Sequence, residues 1–278
     1  MSKLPSFLIK RIPKRINQSK IRECLSDGSI HTVCESAKCP NLGECFSRNT
    51  LTFMILGDVC TRNCVFCGVK KGAILSPDPF EPQKIVEAVK KLGLKYVVVT
   101  SVTRDDLRDY GAEQFAKVIE ILKPLPVEVL IPDLCGNWNQ LQKIIDSNPV
   151  VINHNVETIQ RLYKTIRPQA IYERSLELLK TVKKLNSKIY AKSGFMVGLG
   201  ESDEEIIELL KDLKSANCDI ITIGQYLAPS KRHPQPHRYV DPLVFEQYKI
   251  EGEKLGLKVF AGPFVRSSYR AGEILDTK

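Results

Sequence analysis

Apolar runs alternate with amphipathic segments through most of the chain after residue 50. The apolar runs cover residues 51–57, 95–102, 127–132, 149–156, 188–199 and 219–227. The segments with apolar residues at helical spacing cover 82–92, 111–123, 137–147, 172–185, 203–216 and 241–255. This alternation is typical of strands and helices that follow one another along a parallel sheet. It predicts an α/β fold, a partial (β/α)6 TIM-like barrel, with 257–261 as a candidate closing strand.

The two ends of the chain lack this alternation. Residues 1–50 contain Pro and Cys without a clear period, which favours an extension wrapped over the barrel rather than a separate folded unit. We therefore expect three regions: an N-terminal extension at 1–50, the barrel at 51–262, and a C-terminal tail at 263–278 that closes the barrel mouth. In barrels of this kind, functional residues lie at the carboxyl ends of the strands.

Composition narrows the class of protein. The chain has 278 residues and a formal charge of +9, but its basic residues are spread over helix-like segments rather than gathered with aromatic residues into a stripe. We therefore expect no nucleic-acid partner; an acidic protein partner or a solvated surface accounts for the charge. There is no apolar stretch of membrane length and no secretory signal at the start, so we expect no membrane association and a cytoplasmic location. Most of the nine Cys lie in two tight groups, which favours a reducing compartment.

The first cysteine group directly follows the apolar run 51–57. Cys60, Cys64 and Cys67 lie within eight residues, and the residues on either side offer no fourth Cys or His to close a tetrahedral zinc site. A [4Fe–4S] cluster held by three thiolates keeps one iron open for a further ligand. The spacing therefore favours a cluster with an open iron.

The second group, Cys34, Cys39 and Cys45, lies in the extension. A stretch with so few apolar residues cannot build its own core, and bound metal would stabilise it. A second iron–sulfur cluster is the favoured interpretation. A zinc site completed by His31 or by a remote residue is the alternative.

Polar residues follow the fourth predicted strand. Alternation places Asn153, Asn155 and Glu157 on one face, where the last two would line the barrel mouth and bind ribose hydroxyls or an ammonium group. A strand end that bonds its own loop is the alternative. His154 faces the other way and is expected to be a hydrogen-bonded core residue. Three glycines at 194–200 permit close backbone approach to a flat ligand, and the long loop 228–242 is of a length that is usually functional or mobile.

Read together, these segments resemble the lipoyl synthase family of radical S-adenosylmethionine (SAM) enzymes. The resemblance is carried by both cysteine triplets and by the segments at 3–8, 53–62, 100–107, 153–158, 172–176, 196–201 and 266–269. The paired triplets together with the Arg-Ser-Ser-Tyr tail are its most specific part.

The resemblance implies two [4Fe–4S] clusters as cofactors, together with SAM. Cys60, Cys64 and Cys67 would hold the cluster that cleaves SAM, and Cys34, Cys39 and Cys45 would hold an auxiliary cluster with Ser268 on its fourth iron. It also implies that Asn155, Glu157 and Arg174 bind SAM, with Arg174 on its carboxylate, and that the backbone at Met196 and Val197 contacts adenine. Arg266 would guard the auxiliary cluster.

The activity implied is insertion of sulfur at C6 and C8 of an octanoyl chain on a lysine of a carrier protein, with the auxiliary cluster as the sulfur source. The implied partners are the octanoylated lipoyl domain of a 2-oxoacid dehydrogenase E2 or the glycine cleavage H protein, a reductant such as flavodoxin or ferredoxin, and an iron–sulfur carrier for cluster repair. Two alternatives stay open at this point. One is a radical SAM enzyme that acts on another acceptor, for example by methylthiolation; the other is an electron carrier with two clusters.

Overall fold

A computed structural model describes residues 4–10, 19–26 and 28–276, and an eight-stranded sheet forms its centre. The strands lie in chain order, with β1 antiparallel to β2 and every later pair parallel. They are β1 His31–Thr32, β2 Thr52–Ile55, β3 Val97–Ser101, β4 Val127–Leu130, β5 Val151–Asn153, β6 Tyr190–Val197, β7 Ile220–Gln225 and β8 Lys258–Gly262. Because β1 and β8 do not pair with each other, the sheet is an open, partial barrel.

Helices connect the strands and cover the outer face of the sheet. In chain order they are α1 Ser19–Cys24, α2 Val33–Ser36, α3 Leu42–Ser47, α4 Glu81–Leu92, α5 Ala112–Leu122, α6 Trp138–Asp146, α7 Tyr163–Ile166, α8 Tyr172–Leu185, α9 Asp203–Ser215, α10 Pro242–Lys254 and α11 Ala271–Asp276. The predicted partial barrel is confirmed: each of the six apolar runs contains a strand, and each amphipathic segment coincides with a helix to within one residue at either end. The run 257–261 forms β8, which pairs with β7 but not with β1, so it is an edge strand and does not close the barrel. The sequence pattern missed β1 because two residues are too few to show a period.

Local sequence signals account for where the long helices begin and end. At the start of α9, Ser202 Oγ accepts a hydrogen bond from the Glu205 N–H (3.3 Å), and the Glu205 carboxylate accepts one from the Ser202 N–H (2.9 Å). Helix α4 ends at Gly93, whose φ of 65° lies in the left-handed region that glycine adopts without strain. These ends set the lengths of the connections that return the chain to the sheet.

The two faces of the sheet differ in polarity. The outer face packs on the helices through fully buried apolar side chains such as Phe53, Val99 and Ile152. The inner face carries polar residues, and the Lys192 ammonium bonds the Glu128 carboxylate at 2.8 Å with both side chains almost completely buried. Tyr96 also donates to Glu128 at 3.0 Å. Polar groups buried in this way need partners, since an unpaired one costs the full desolvation energy.

Candidate metal and cofactor site

A cavity of about 490 Å³ opens at the carboxyl ends of the strands, and this volume is in the range of small-molecule sites. Five of the six cysteines predicted as cluster ligands line it; Cys45 does not. The tail also lines it, through Arg266, Ser267 and Ser268. Residues that are far apart in sequence therefore face one space, although the domain boundaries and the ligand assignments stay predictions.

Arg62 fixes the loop that carries the first cysteine group. Arg62 is 4% exposed, and its guanidinium bonds two carboxylates, Asp105 at 2.8 Å and Asp133 at 2.5 Å. Thr61 adds a hydrogen bond from its hydroxyl to the Thr103 carbonyl at 2.9 Å. Charge-assisted bonds between a buried arginine and two carboxylates hold a loop firmly, so the thiols that flank Arg62 keep a fixed place on the cavity wall. Sequence reasoning missed this role of Arg62, because the residues next to it in the sequence give no sign that Asp105 and Asp133 are its partners.

Burial makes the Cys34 and Cys67 thiols weaker acids than an ordinary cysteine. It raises the pKa of Cys34 to about 12 and the pKa of Cys67 to about 11. The Cys34 and Cys67 thiols therefore keep their protons, and binding of iron must displace them. A set of free thiols that line one cavity is the donor chemistry that iron–sulfur clusters use.

Thr52 connects the second cysteine group to the tail. A hydrogen bond from its backbone to the Cys34 thiol opposes the rise in that pKa, and its hydroxyl donates to Ser268 Oγ at 2.8 Å. The residue predicted as the fourth ligand of the auxiliary cluster and one of that cluster's predicted cysteines thus both contact Thr52. The Thr52 hydroxyl would serve as donor to a serine oxygen bound to iron. Sequence reasoning gave Thr52 no role.

The extension and the tail also bind each other away from the cavity. Lys10 Nζ bonds Asn41 Oδ1 at 2.7 Å and Glu44 Oε2 at 2.6 Å, and it lies 4.6 Å from the centre of the Phe264 ring. Asn41 Nδ2 donates to the Phe264 carbonyl at 2.6 Å, and the Tyr269 hydroxyl donates to Glu44 at 2.8 Å. We call these five residues the extension–tail contact. It holds the segment between Cys39 and Cys45 against the segment that contains Ser268.

The residues predicted to bind SAM separate into two groups. Asn155, Glu157 and Met196 line the cavity, and Asn155 Nδ2 donates to Glu157 Oε1 at 2.9 Å. Val197 and Arg174 do not line it: Val197 is buried in the core, and Arg174 bonds Asp133 at 3.3 Å. Burial raises the pKa of Glu157, while the neighbouring Arg167 charge and the Asn155 bond oppose this rise. The SAM contacts stay predictions.

Arg167 is a cavity residue that sequence reasoning missed. Its Nη1 donates to the carbonyls of Asn155 at 3.0 Å and Val156 at 3.1 Å, and also to the Tyr163 hydroxyl at 3.2 Å. It therefore holds the backbone that carries Asn155 and brings a positive charge near Glu157 and Cys64. Arg266 is a second cation at the cavity, and its hydrogen-bond acceptors within the part of the chain that the structure describes are the carbonyls of Val265 and Pro263. Two cations beside the thiols suit an anionic occupant.

The two residues that precede Asn155 are buried. His154 is 1% exposed, with Nδ1 2.9 Å from the Ile131 carbonyl and Nε2 3.0 Å from Ser175 Oγ, so the prediction of a hydrogen-bonded core histidine is confirmed. Asn153 is fully buried, and strand β5 ends there. The alternation used to predict one shared face therefore stops at Asn153.

Protein contacts account for two of the glycines after residue 193. A Cβ at Gly194 would lie 2.4 Å from Thr222 Oγ1 and 3.1 Å from Ser267 Oγ, and a Cβ at Gly198 would lie 2.3 Å from Gln225 Nε2. These glycines let the protein pack closely against its own side chains. Adenine contact by this backbone stays a prediction.

Among the described residues, no three His, Cys, Asp or Glu side chains converge on a point that would hold a single metal ion. A cubane cluster does not require such convergence, because each thiolate binds a different iron.

Comparisons with known proteins identify the family. The radical SAM superfamily matches residues 54–213. Lipoyl synthase of Caldicellulosiruptor saccharolyticus is 55% identical over 98% of this chain and 97% of that relative, and lipoyl synthase of Caldanaerobacter subterraneus subsp. tengcongensis is 54% identical over 96% of this chain and 95% of that relative. The chain belongs to the lipoyl synthase family. It is therefore an enzyme of the radical SAM sulfurtransferase type, and the electron-carrier alternative is wrong.

Solved structures agree on the fold of this lipoyl synthase family member. Streptococcus suis SuiB bound to S-adenosylmethionine has a TM-score of 0.61 at 13% identity, covering 80% of this chain and 54% of that chain. Methylornithine synthase (PylB) has a TM-score of 0.58 at 16% identity, covering 90% and 75%. Membership of the family brings SAM and one [4Fe–4S] cluster as cofactors, and the free thiols and cations at the cavity fit them. No described helix has the length and apolar character needed to span a bilayer.

Proposed function

We propose that this enzyme inserts two sulfur atoms, at C6 and C8, into an octanoyl chain carried on a lysine of a lipoyl carrier protein. The observation that carries the proposal is the cavity wall shared by residues of both cysteine triplets and by the tail serines. An alkyl chain placed in that cavity would have both groups of thiols within one enclosed space. Positioning of this kind decides the outcome, because a reactive carbon must meet sulfur before anything else quenches it.

Each cysteine triplet has a separate role in the proposal. Cys60, Cys64 and Cys67 would hold the cluster at the SAM site, and Cys34, Cys39 and Cys45 with Ser268 would hold the auxiliary cluster. When bound, the two clusters and SAM supply the radical that removes hydrogen from the acyl chain and the sulfide that replaces it. Oxygen is a harder ligand than thiolate, so a Ser268 ligand would release its iron more readily than a cysteine would.

The protein's own groups bind and orient. Asn155 and Glu157 would accept the polar groups of SAM, and Arg167 holds the Asn155 backbone in place through two carbonyls. Arg174 would take part through Asp133, which both Arg174 and Arg62 bond. Arg266 would balance negative charge at the auxiliary site. The partners proposed are the lipoyl domain of a 2-oxoacid dehydrogenase E2 or the glycine cleavage H protein, a flavodoxin or ferredoxin, and an iron–sulfur carrier, all in the cytoplasm.

One anaerobic incubation tests the function. The enzyme with reconstituted clusters is mixed with SAM, a reductant and an octanoyl-lysine peptide, and the peptide is analysed by mass spectrometry. The expected product carries two added sulfur atoms as a dithiol with no net loss of hydrogen, because each C–H bond becomes a C–SH group; oxidation of the two thiols to the ring disulfide after the incubation removes two hydrogens. An unmodified peptide together with released deoxyadenosine would show SAM cleavage without sulfur insertion and would overturn the proposal. A methylthiolated peptide would support the alternative acceptor chemistry instead.

A further inference from the structure

The cavity is too small to admit a folded carrier domain. Its volume of about 490 Å³ accommodates a small molecule or an acyl chain, whereas a protein that carries such a chain must rest on the surface around the opening. The residues at the rim therefore meet the carrier first.

Three segments that contribute to the rim contain no acidic residue. They are 36–43, 59–77 and 227–240, and each includes Lys or Arg. Lys38, Lys71, Lys231 and Arg232 are exposed, and the first two line the cavity. We call these four residues the basic rim. In a chain with 32 acidic residues, the lack of any in these three segments gives each of them a net positive charge.

The loop with Lys231 and Arg232 is held beside the first cysteine group. His233 Nε2 lies 3.2 Å from the Cys67 carbonyl, and Ser230 Oγ lies 2.9 Å from His233 Nδ1. Since the carbonyl can only accept, Nε2 carries the proton and the serine hydroxyl donates to Nδ1. Ala228 and Pro229 line the cavity just before this contact. The two cations thus project from a loop that is attached to the opening.

Apolar residues lie next to the basic rim. Leu75 is 82% exposed and Ile74 is 36% exposed, and both follow Lys71 within four residues. Protein interfaces commonly combine exposed apolar side chains with surrounding charges, whereas a surface built for phosphate backbones needs no aliphatic patch. This combination favours a protein partner over a nucleic acid.

We propose that the basic rim and Leu75 form the docking surface for an acidic carrier domain, whose acylated lysine then enters the cavity. The inference rests on the proposed function, since it names the surface by which that substrate is recognised. Complementary charge would speed the encounter and set the orientation of the carrier, and salt would weaken it.

The test compares a carrier domain with a short substrate. The double variant Lys231→Glu/Arg232→Glu is assayed with an octanoylated lipoyl domain and with an octanoyl-lysine peptide that has no other charged residue. Its matched control is Lys184→Glu/Lys188→Glu, which reverses two exposed charges at the opposite end of the barrel, before β6. Binding of the octanoylated domain to each protein is measured separately by fluorescence anisotropy at low and high salt.

The rim variant is expected to bind the domain about tenfold more weakly at low salt, with a smaller dependence on salt and unchanged turnover of the peptide. The control variant should match the wild type throughout. Unchanged domain binding in the rim variant would overturn the docking proposal. The proposal would also fail if the wild type bound duplex DNA tightly and the rim substitutions abolished DNA binding but left domain binding intact. If the wild type modifies neither substrate, the proposed function fails. The anisotropy measurement of domain binding still decides whether the basic rim docks the domain.

Discussion

Ser267 Oγ lies 2.7 Å from Asn155 Nδ2 and 2.9 Å from Asn155 Oδ1, so a tail serine is bonded to a residue predicted to bind SAM. Asn155 in turn donates to Glu157. The neighbouring Ser268 faces Thr52 instead. Two adjacent serines therefore contact different parts of the cavity wall, one at the predicted SAM site and one beside the second cysteine group.

The two serines should consequently have different functions. Ser267→Ala is expected to weaken SAM binding about fivefold, because it removes a hydrogen bond worth about 1 kcal/mol from Asn155. Ser268→Ala should leave SAM binding near the wild-type value but lower the iron retained at the auxiliary site. Equilibrium dialysis with SAM and iron analysis of the same samples separate the two effects. Equal changes in both quantities for both variants would contradict the assignment.

The two cysteine triplets should separate in the same way. Anaerobically reconstituted wild type is expected to bind about eight irons, the content of two cubanes. Cys64→Ala should abolish deoxyadenosine formation, whereas Cys39→Ala should retain it and yield no sulfur-bearing product. Chromatography of deoxyadenosine and mass spectrometry of the peptide give both readouts. Loss of cleavage in Cys39→Ala with retention in Cys64→Ala would reverse the assignment.

The extension–tail contact should contribute to stability. Lys10→Met removes bonds to Asn41 and Glu44 and a cation near the Phe264 ring, and we expect a loss of about 2 kcal/mol. Lys211→Met is the matched control, because Lys211 pairs with Glu208 on an exposed helix face where such pairs contribute little. Chemical denaturation measures both. A Lys10 variant as stable as the control would show that the contact is dispensable.

The buried ion pair of the barrel interior gives a sharper prediction. Lys192→Met leaves the Glu128 carboxylate buried with only the Tyr96 hydroxyl, and it should cost roughly 3–5 kcal/mol. The double variant Lys192→Met/Glu128→Leu should recover most of that loss, since neither charge is then buried. Denaturation midpoints of the single and double variants test this. A double variant less stable than the single one would show that Glu128 stabilises the fold without its lysine partner and would contradict the prediction.

His154 should make stability depend on pH. Burial lowers its pKa to about 4 from an ordinary value of 6.5, so the folded protein keeps the ring neutral where the unfolded chain is protonated. The contribution of the neutral ring to the free energy of unfolding is complete above pH 6.5 and is lost as the pH falls towards 4. The total loss is about 3 kcal/mol. The variant His154→Asn can still donate to the Ile131 carbonyl. Its free energy of unfolding should depend less on pH between pH 4 and 6.5 than that of the wild type. An unchanged slope between pH 4 and 6.5 would contradict the prediction.

Sequence reasoning found the regular elements and the cysteine groups, because both repeat or cluster over short distances. Each apolar run is a strand since the buried faces of β2 to β7 need continuous apolar residues. Sequence reasoning did not identify Thr52, Arg167 or the Ser267–Asn155 hydrogen bond. The last of these joins residues 112 positions apart in irregular segments, where no period links one side chain to another.

For Cys45 and Arg174, sequence reasoning grouped residues that the structure separates. Motif spacing groups each with its neighbours in sequence, but Cys45 does not line the cavity and Arg174 reaches it only through Asp133. Distance along the chain predicts membership of a motif, whereas the path of the backbone decides which side chains face the same space.

The extension–tail contact can form only near the end of synthesis, after the tail has been made. The partners Asn41 and Phe264 are 223 residues apart, and Glu44 and Tyr269 are 225 apart. A ribosome therefore makes the second cysteine group long before the tail that covers it exists. The nascent chain emerges with these thiols uncovered, and only the last part of translation allows this half of the cavity to close.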